Sequence, residues 1–201
     1  MPTIHPNSDA MTARKNAQKI LETKGEAKAA LQEELGWPEE SKIPLLCLPA
    51  GMTDQLGGKI LQELIPGLLT LPLQMVILGK GSAAYGTLFT KLAKDYPHRF
   101  AIVSNDKNME QAMYAASDMA LFLTDPKDTT EISDCLANGV VPVAPENGNL
   151  KNYDPNQENG TGFLFDGDTV WHVYGALVRA LETFRFPYDW KTIQKQCLEQ
   201  A

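Results

Sequence analysis

The sequence is poor in the residues that build metal centres and disulfide frameworks. Only three cysteines and three histidines occur among its 201 residues. Cys47, Cys135 and Cys197 are scattered and odd in number, which favours reduced, buried thiols over a disulfide framework. No histidine lies near a cysteine along the chain, so metal-ligand spacing is lacking and we expect no metal site.

Long apolar runs and an excess of positive charge are also lacking. The apolar runs reach about six to eight residues, far below the ~20 residues that a membrane span needs. The N-terminal stretch does not have the basic-then-apolar order of a signal peptide. The formal charge of −7 argues against a surface for nucleic acid or for an anionic membrane, since both need a basic footprint.

Short apolar segments alternate with amphipathic segments along most of the chain. The apolar segments predict strands at residues 45–48, 73–79, 100–104, 119–124, 140–144 and 160–165. The amphipathic segments predict helices at residues 57–70, 82–97, 108–117, 130–139, 169–184 and 188–200. Units of this length need crossover connections, so we expect one α/β domain with a Rossmann-like, doubly wound parallel sheet.

The first 36 residues are rich in Ala, Lys, Glu and Leu, which predicts a helix. Gly25 is a candidate break in that helix, and Gly36 is its predicted stop. We therefore divide the chain into a helical lead-in at residues 1–25 and the α/β domain at residues 26–201.

Two glycine-bearing turns follow predicted strands and precede predicted helices. The first, "PAGMTDQLGG" at residues 49–58, has the position of a phosphate-binding turn but no Lys or Arg before Lys59. The second, "GKGS" at residues 79–82, lacks the full Walker spacing and the third glycine of a dinucleotide fingerprint. It is either a backbone phosphate site with Lys80 nearby or a structural turn.

A collinear set of motifs resembles a known family. The stretches are "KAALQEELGW", "GMTDQLGG", "ELIPGLL", "MVILGKGS", "YAASDMALFL", "ANGVVPVA" and "NGTGFLF". They resemble the C-terminal, nucleotide-binding domain of bacterial glycogen synthases and plastid starch synthases, which are retaining glycosyltransferases of the GT-B type. The resemblance covers residues 26–198. It implies a GT-B fold, ADP or ADP-glucose and an α-glucan as ligands, no cofactor, and an N-terminal partner domain in a larger protein.

The resemblance also implies a nucleotide-sugar site at eight positions: Thr53, Gln55, Gly57, Gly79, Lys80, Gly81, Thr130 and Gly148. The sequence departs from the family at the charged positions of this site. Gly51 and Leu56 align with the family's diphosphate-contacting Arg and Lys, and Pro126 or Lys127 replaces its donor-site Glu. We therefore expect no catalytic residue here. Restoring Gly51→Arg together with Leu56→Lys is expected to strengthen ADP binding.

The helix predicted at residues 130–139 begins differently from its family counterpart. Asp128 followed by Glu131 predicts a capping box, in which both carboxylates face the free N–H groups of the helix start. Carboxylates at a positive helix end repel a pyrophosphate. Asp118, just before the strand at 119–124, is expected to be a buried structural carboxylate.

Three functions remain open from the sequence. The leading hypothesis is a domain without transferase activity by itself, with a structural, regulatory or glucan-associated role in a larger protein. The second is an active ADP-glucose:α-1,4-glucan glucosyltransferase once joined to its N-terminal domain, with Lys59, Lys80 or Lys127 as substitute anchors. The third is a protein–protein interaction module.

The four aromatic residues Trp37, Trp171, Trp190 and Tyr188 are either packing residues or a glucan-stacking surface. We expect a cytoplasmic location, with the plastid stroma as the alternative.

Overall fold

The chain folds into alternating strands and helices in the predicted order. The computed structural model describes the backbone from Pro6 to Ala201 and the side chains from Lys15 onward; the part of the predicted lead-in before Pro6 lies outside the described residues. The strands are β1 Leu45–Leu48, β2 Gln74–Leu78, β3 Phe100–Val103, β4 Met119–Leu121, β5 Val141–Pro145 and β6 Phe163–Phe165. The helices are α1 Pro6–Glu34, α2 Gly58–Leu68, α3 Ala83–Asp95, α4 Lys107–Ala116, α5 Thr130–Ala137, α6 Val170–Phe184 and α7 Pro187–Gln200.

The six strands form one parallel sheet in the order β3-β2-β1-β4-β5-β6. β1 lies at the centre, where Leu46 is in register with Met75 of β2 and with Met119 of β4. This arrangement confirms the predicted Rossmann-like, doubly wound fold. The strand order reverses direction beside β1, and ligands of such sheets bind outside the carboxyl ends of the strands at this reversal.

The central strands are buried on both faces, as expected where helices cover a parallel sheet on each side. Every residue of β1, β2 and β4 is buried. The outer strand β3 is less protected, and its Ile102 side chain is exposed. The three cysteines are free and buried, in agreement with the expected reduced thiols.

Helix α1 is more continuous than predicted. It runs through Gly25 without a break, so the break proposed at that residue is wrong. Gly36 follows the helix end with a φ of +66°, a left-handed conformation that suits glycine and confirms the predicted stop. The division of the chain at residue 25 stays a prediction.

Three buried polar side chains lie at four-residue intervals on α1, at Lys24, Lys28 and Gln32. Lys24 Nζ donates hydrogen bonds to the carbonyls of Tyr114, Ala115 and Asn138 at 3.4, 3.3 and 3.0 Å. These carbonyls lie at the carboxyl ends of α4 and α5, where a cation is favourable. One ammonium group therefore caps two helices, although its burial lowers the pKa of Lys24 to about 8.

The next residue of this stripe joins α1 to the start of the sheet. Lys28 Nζ lies 2.8 Å from Asp118 Oδ2, and both side chains are largely buried. The same carboxylate oxygen accepts a hydrogen bond from the Leu45 backbone N–H at 2.8 Å. Asp118 thus fixes α1, β1 and β4 to one another, which confirms its expected role as a structural carboxylate.

We predict that Asp118→Ala lowers the free energy of unfolding by about 3–5 kcal/mol, because the buried Lys28 charge loses its partner. The Leu45 N–H loses its acceptor as well. Urea unfolding followed by circular dichroism measures the loss. The exposed Asp95→Ala variant is the matched control and should change stability by less than about 0.5 kcal/mol.

A double-variant comparison isolates the ion pair. Lys28→Met combined with Asp118→Ala should cost less than the sum of the two single substitutions, because the second removal no longer leaves a buried charge unpaired. Additive losses would show that the two side chains do not interact.

The low pKa of Lys24 predicts an unusual dependence of stability on pH. Its folded-state pKa of about 8 lies below the ordinary value of 10.5, so between these values the unfolded chain binds more protons than the folded protein. The contribution of Lys24 to stability is therefore lowest below pH 8 and rises as the pH increases toward 10.5. From pH 7 to pH 9.5 the protein should gain roughly 2 kcal/mol of unfolding free energy relative to Lys24→Met.

Urea unfolding of the protein and of Lys24→Met at both pH values measures this difference. The variant of the exposed Lys19 on the same helix, Lys19→Met, should follow the unmodified protein at both pH values. A pH-independent difference between the protein and Lys24→Met would contradict the assigned pKa.

Candidate functional site

The turns that follow β1 and β2 meet at the reversal of strand order. Met52 forms a parallel bridge with Gly81. The Met52 N–H donates to the Lys80 carbonyl at 3.3 Å, and the Ser82 N–H donates to the Met52 carbonyl at 3.0 Å. The two predicted phosphate turns are therefore hydrogen-bonded to each other through their backbones.

Gly51 sits at the closest approach of these turns and has no room for a side chain. Its φ is +65°, in the left-handed region that favours glycine. A Cβ at this residue would lie 2.1 Å from the Lys80 carbonyl oxygen and 2.7 Å from Lys80 Cγ. The stem of Lys80 thus fills the space next to Gly51, at the position where the resemblance implies an arginine. The expected gain from Gly51→Arg does not fit this backbone, because the larger residue would force the two turns apart.

The rest of the first turn is organised by local contacts. Residues Asp54–Leu56 form a single 3₁₀ turn, and Thr53 Oγ1 accepts a hydrogen bond from the Leu56 N–H at 3.2 Å. Gly57 follows with a φ of +85° and packs against Leu123, whose Cβ would lie 2.6 Å from an added Cβ. Of the predicted site residues here, Thr53 is engaged in capping, while the side chain of Gln55 is exposed.

Tyr85 of α3 holds this turn in place through two contacts. Its hydroxyl donates to Asp54 Oδ1 at 2.6 Å. Its ring also lies against Gly58, where an added Cβ would come within 2.1 Å of the ring. Both contacts hold the turn after β1 against the helix after β2, so neither turn is free to move alone.

Lys80, the cation nearest to these turns, is paired with an acid. Lys80 Nζ lies 2.6 Å from Glu131 Oε1, and both side chains are only partly exposed. Burial by itself would raise the pKa of Glu131, but the hydrogen bond and charge of Lys80 outweigh it and lower that pKa below its usual value. Glu131 is therefore a carboxylate at neutral pH, and it serves as the counter-ion of Lys80.

The start of α5 differs from the predicted capping box. The N-cap is Thr129, whose Oγ1 accepts from the Ile132 N–H at 3.3 Å. Asp128 stands one residue earlier with a φ of +59°, so its assignment as the cap is wrong. Glu131 turns toward Lys80, and its second oxygen accepts from the Thr130 hydroxyl at 3.3 Å. A carboxylate does lie at the helix start, as predicted, but it serves as a counter-ion.

The remaining predicted site residues lie around this centre. Gly79 packs against β3, where an added Cβ would lie 2.8 Å from the Val103 carbonyl oxygen. Gly81 has a φ of +118° and contacts Met52 closely. Gly148 lies on the open loop after β5 and meets nothing within 4 Å. The structure thus brings Lys80, Gly81 and Thr130 together, while Gly148 stands on a neighbouring loop.

The four aromatic residues predicted as a possible glucan-stacking surface do not lie together. Trp37 and Trp190 are buried, and the Trp190 ring stacks on Phe163 with centroids 6.1 Å apart. Trp171 and Tyr188 are 76% and 70% exposed. Helix α6 separates them, and its 15 residues span about 22 Å. A single glucan-stacking surface made of these four residues is therefore wrong.

Two features of this site were not predicted from the sequence. Glu131 was expected to cap its own helix, and its partner Lys80 lies 51 residues away along the chain. The Tyr85–Asp54 contact likewise joins two elements that carry no shared motif.

Among the described residues, no group of three or more His, Cys, Asp or Glu side chains could hold a metal ion. Within the same part of the chain, every helix is too short or too polar to cross a membrane.

Comparison with known proteins relates the whole chain to one enzyme class. No family model matches the sequence. A glycogen synthase of Streptococcus agalactiae serotype Ia is 31% identical over 205 residues, which cover 98% of this chain and 43% of that protein. A glycogen synthase of Streptococcus uberis is 34% identical over 186 residues, covering 89% of this chain and 39% of that protein. The chain thus spans about two fifths of the length of these relatives.

Solved structures give the same fold. The catalytic domain of starch synthase IV from Arabidopsis thaliana, bound to ADP and acarbose, has a TM-score of 0.74 at 22% identity, over 87% of this chain and 38% of that one. A glycosyltransferase of Rickettsia africae has a TM-score of 0.66 at 17% identity, over 85% of this chain and 45% of that one. Sequence similarity identifies the chain as a homologue of the glycogen synthases, and its fold corresponds to their C-terminal GT-B domain.

Proposed function

We propose that this GT-B domain by itself does not bind ADP-glucose tightly and does not transfer glucose. Its role is structural, regulatory or glucan-associated within a larger glycogen- or starch-related protein. The observation that carries the proposal is the packing of Gly51 against Lys80. It leaves no side chain at the position of the implied arginine, and the lysine beside it is held by Glu131.

The free energy of charge-assisted contacts supports weak binding of a diphosphate. A charge-assisted contact in a binding pocket contributes roughly 1.5–3 kcal/mol, so the absence of two such contacts lowers affinity by about two to four orders of magnitude. The third cation, Lys80, has to give up Glu131 before it can contact a phosphate. The Glu131 carboxylate would then face the same phosphate across the start of α5.

A second candidate is an active glucosyltransferase formed with an N-terminal domain. It is favoured by the coverage of the relatives, because about three fifths of their length has no counterpart in this chain. The solved starch synthase IV domain carries ADP and acarbose. In this alternative, the donor would be ADP-glucose, the acceptor an α-glucan, and Lys59 or Lys127 would contact the diphosphate. Three free cysteines suit the reducing cytoplasm or plastid stroma in either case.

Calorimetric titration with ADP and ADP-glucose tests the proposal. We predict a dissociation constant weaker than about 1 mM for both ligands, corresponding to less than about 4 kcal/mol of binding free energy. Sub-millimolar binding by the chain would contradict the proposal and support the active transferase.

A gain of affinity should follow from two substitutions that the backbone accommodates. Leu56→Lys restores one implied cation at a partly exposed residue, and Glu131→Gln releases Lys80 while keeping the size of the side chain. Together they should strengthen ADP binding at least tenfold, because each supplies about one charge-assisted contact. The matched control is Leu56→Gln with Glu131→Gln, which lacks the new cation and should gain less. Equal affinities for ADP in both double variants would show that residue 56 does not face the diphosphate.

A further inference from the structure

A second concave site lies at the opposite edge of the sheet. It is formed by the segment before β1, at Ser41 and Lys42, and by the turn that joins α6 to α7. Helix α6 runs back along the sheet from the end of β6, so its last residues reach the amino ends of the strands. Strands of four to five residues separate this pocket from the glycine turns by about 15 Å. The pocket is therefore distinct from the nucleotide-sugar cleft.

The walls of the pocket are mainly apolar and partly aromatic. Phe184, Pro187 and Trp190 line a cavity of about 540 Å³, within the size range of small-molecule sites. The rings of Phe184 and Trp190 stand nearly perpendicular, at 76°, with centroids 5.2 Å apart. Such walls accept a flat apolar group and leave its polar end toward the rim.

The charged side chains described on the rim are cations. Lys42, Arg185 and Lys191 line the cavity, and no carboxylate among the described side chains does so. Among the residues whose side chains are described, Lys42 and Lys191 form no ion pair, while Arg185 contacts Glu182 at 3.1 Å on the exposed surface. This concentration of positive charge occurs on a chain with a net charge of −7.

A further cation, Lys28, lies behind the aromatic wall of the pocket. Lys28 Nζ lies 5.4 Å from the centroid of the Phe184 ring, in a cation–π arrangement. Lys28 is paired with Asp118, so its ammonium group holds the ring in place. The rim lysines are the cations that remain to contact an anion. Phe186, between the lining residues Arg185 and Pro187 along the chain, is 60% exposed.

From this geometry we infer a binding site for a small organic anion with a flat apolar body. The body packs against the apolar wall that Phe184, Pro187 and Trp190 form. A carboxylate, sulfonate or phosphate group on it contacts Lys42 and Lys191 at the rim. The site is independent of the nucleotide-sugar cleft, so the outcome of ADP titration does not bear on it.

Fluorescence titration with 8-anilinonaphthalene-1-sulfonate tests the inference on the folded chain. This probe carries an aromatic body and one sulfonate group. Lys42→Ala combined with Lys191→Ala should weaken its binding at least fivefold. The control Lys91→Ala combined with Lys94→Ala removes the same charge from exposed positions on α3 and should leave the affinity unchanged. The uncharged analogue N-phenyl-1-naphthylamine should bind at least fivefold more weakly than the sulfonate.

A substitution that fills the cavity provides the second arm of the test. Ser41→Trp places a large side chain in the pocket from an exposed residue and keeps the charge of the rim. It should abolish binding of the sulfonate probe. Unchanged binding in Ser41→Trp, equal binding in the two lysine double variants, or no binding by the unmodified chain would each overturn the inference.

Discussion

The candidate cleft depends on the close contact between the backbone of Gly51 and the carbonyl of Lys80. A Cβ at residue 51 would lie 2.1 Å from that oxygen, so the contact exists only because residue 51 is glycine. The contact places the stem of Lys80 beside Gly51 and directs its ammonium group to Glu131 on α5. The turns after β1 and β2 and the start of α5 are thereby tied together. The same arrangement pairs Lys80, the cation of the second turn, with an acid.

The scaffold that carries this cleft is held by a separate set of charges. Lys24 and Lys28 of α1 bond carbonyls and a carboxylate at the ends of α4, α5 and the strands β1 and β4. These groups lie at the amino ends of β1 and β4, away from the glycine turns at the carboxyl ends of the strands. Residues of the cleft can therefore differ among proteins that share this fold.

The sequence predicted the fold well because the fold is encoded locally. Each buried strand is a short apolar run, and each crossover helix carries an amphipathic pattern, so the six strands and the helices between them were found in order. Gly25 was wrongly predicted as a break. A glycine inside a helix costs about 1 kcal/mol relative to alanine, but the tertiary contacts of Lys24 and Lys28 on the same helix outweigh this cost.

The site was predicted less well because its decisive contacts join distant parts of the chain. The capping box at Asp128 and Glu131 fits the local pattern, yet Thr129 caps the helix, which begins at Thr130 as predicted. No pattern links Lys80 with Glu131, or shows that the conformation of Gly51 excludes a side chain. The resemblance to the family motifs predicts which charged positions differ. It could not show that the remaining space is filled and the remaining cation paired.

A crystal structure of the chain soaked with ADP tests the central claim most directly. We predict that Lys80 Nζ stays on Glu131 Oε1 and that no ordered diphosphate lies between Gly51 and Thr130. Ordered diphosphate density at that position, with Lys80 turned away from Glu131, would contradict it.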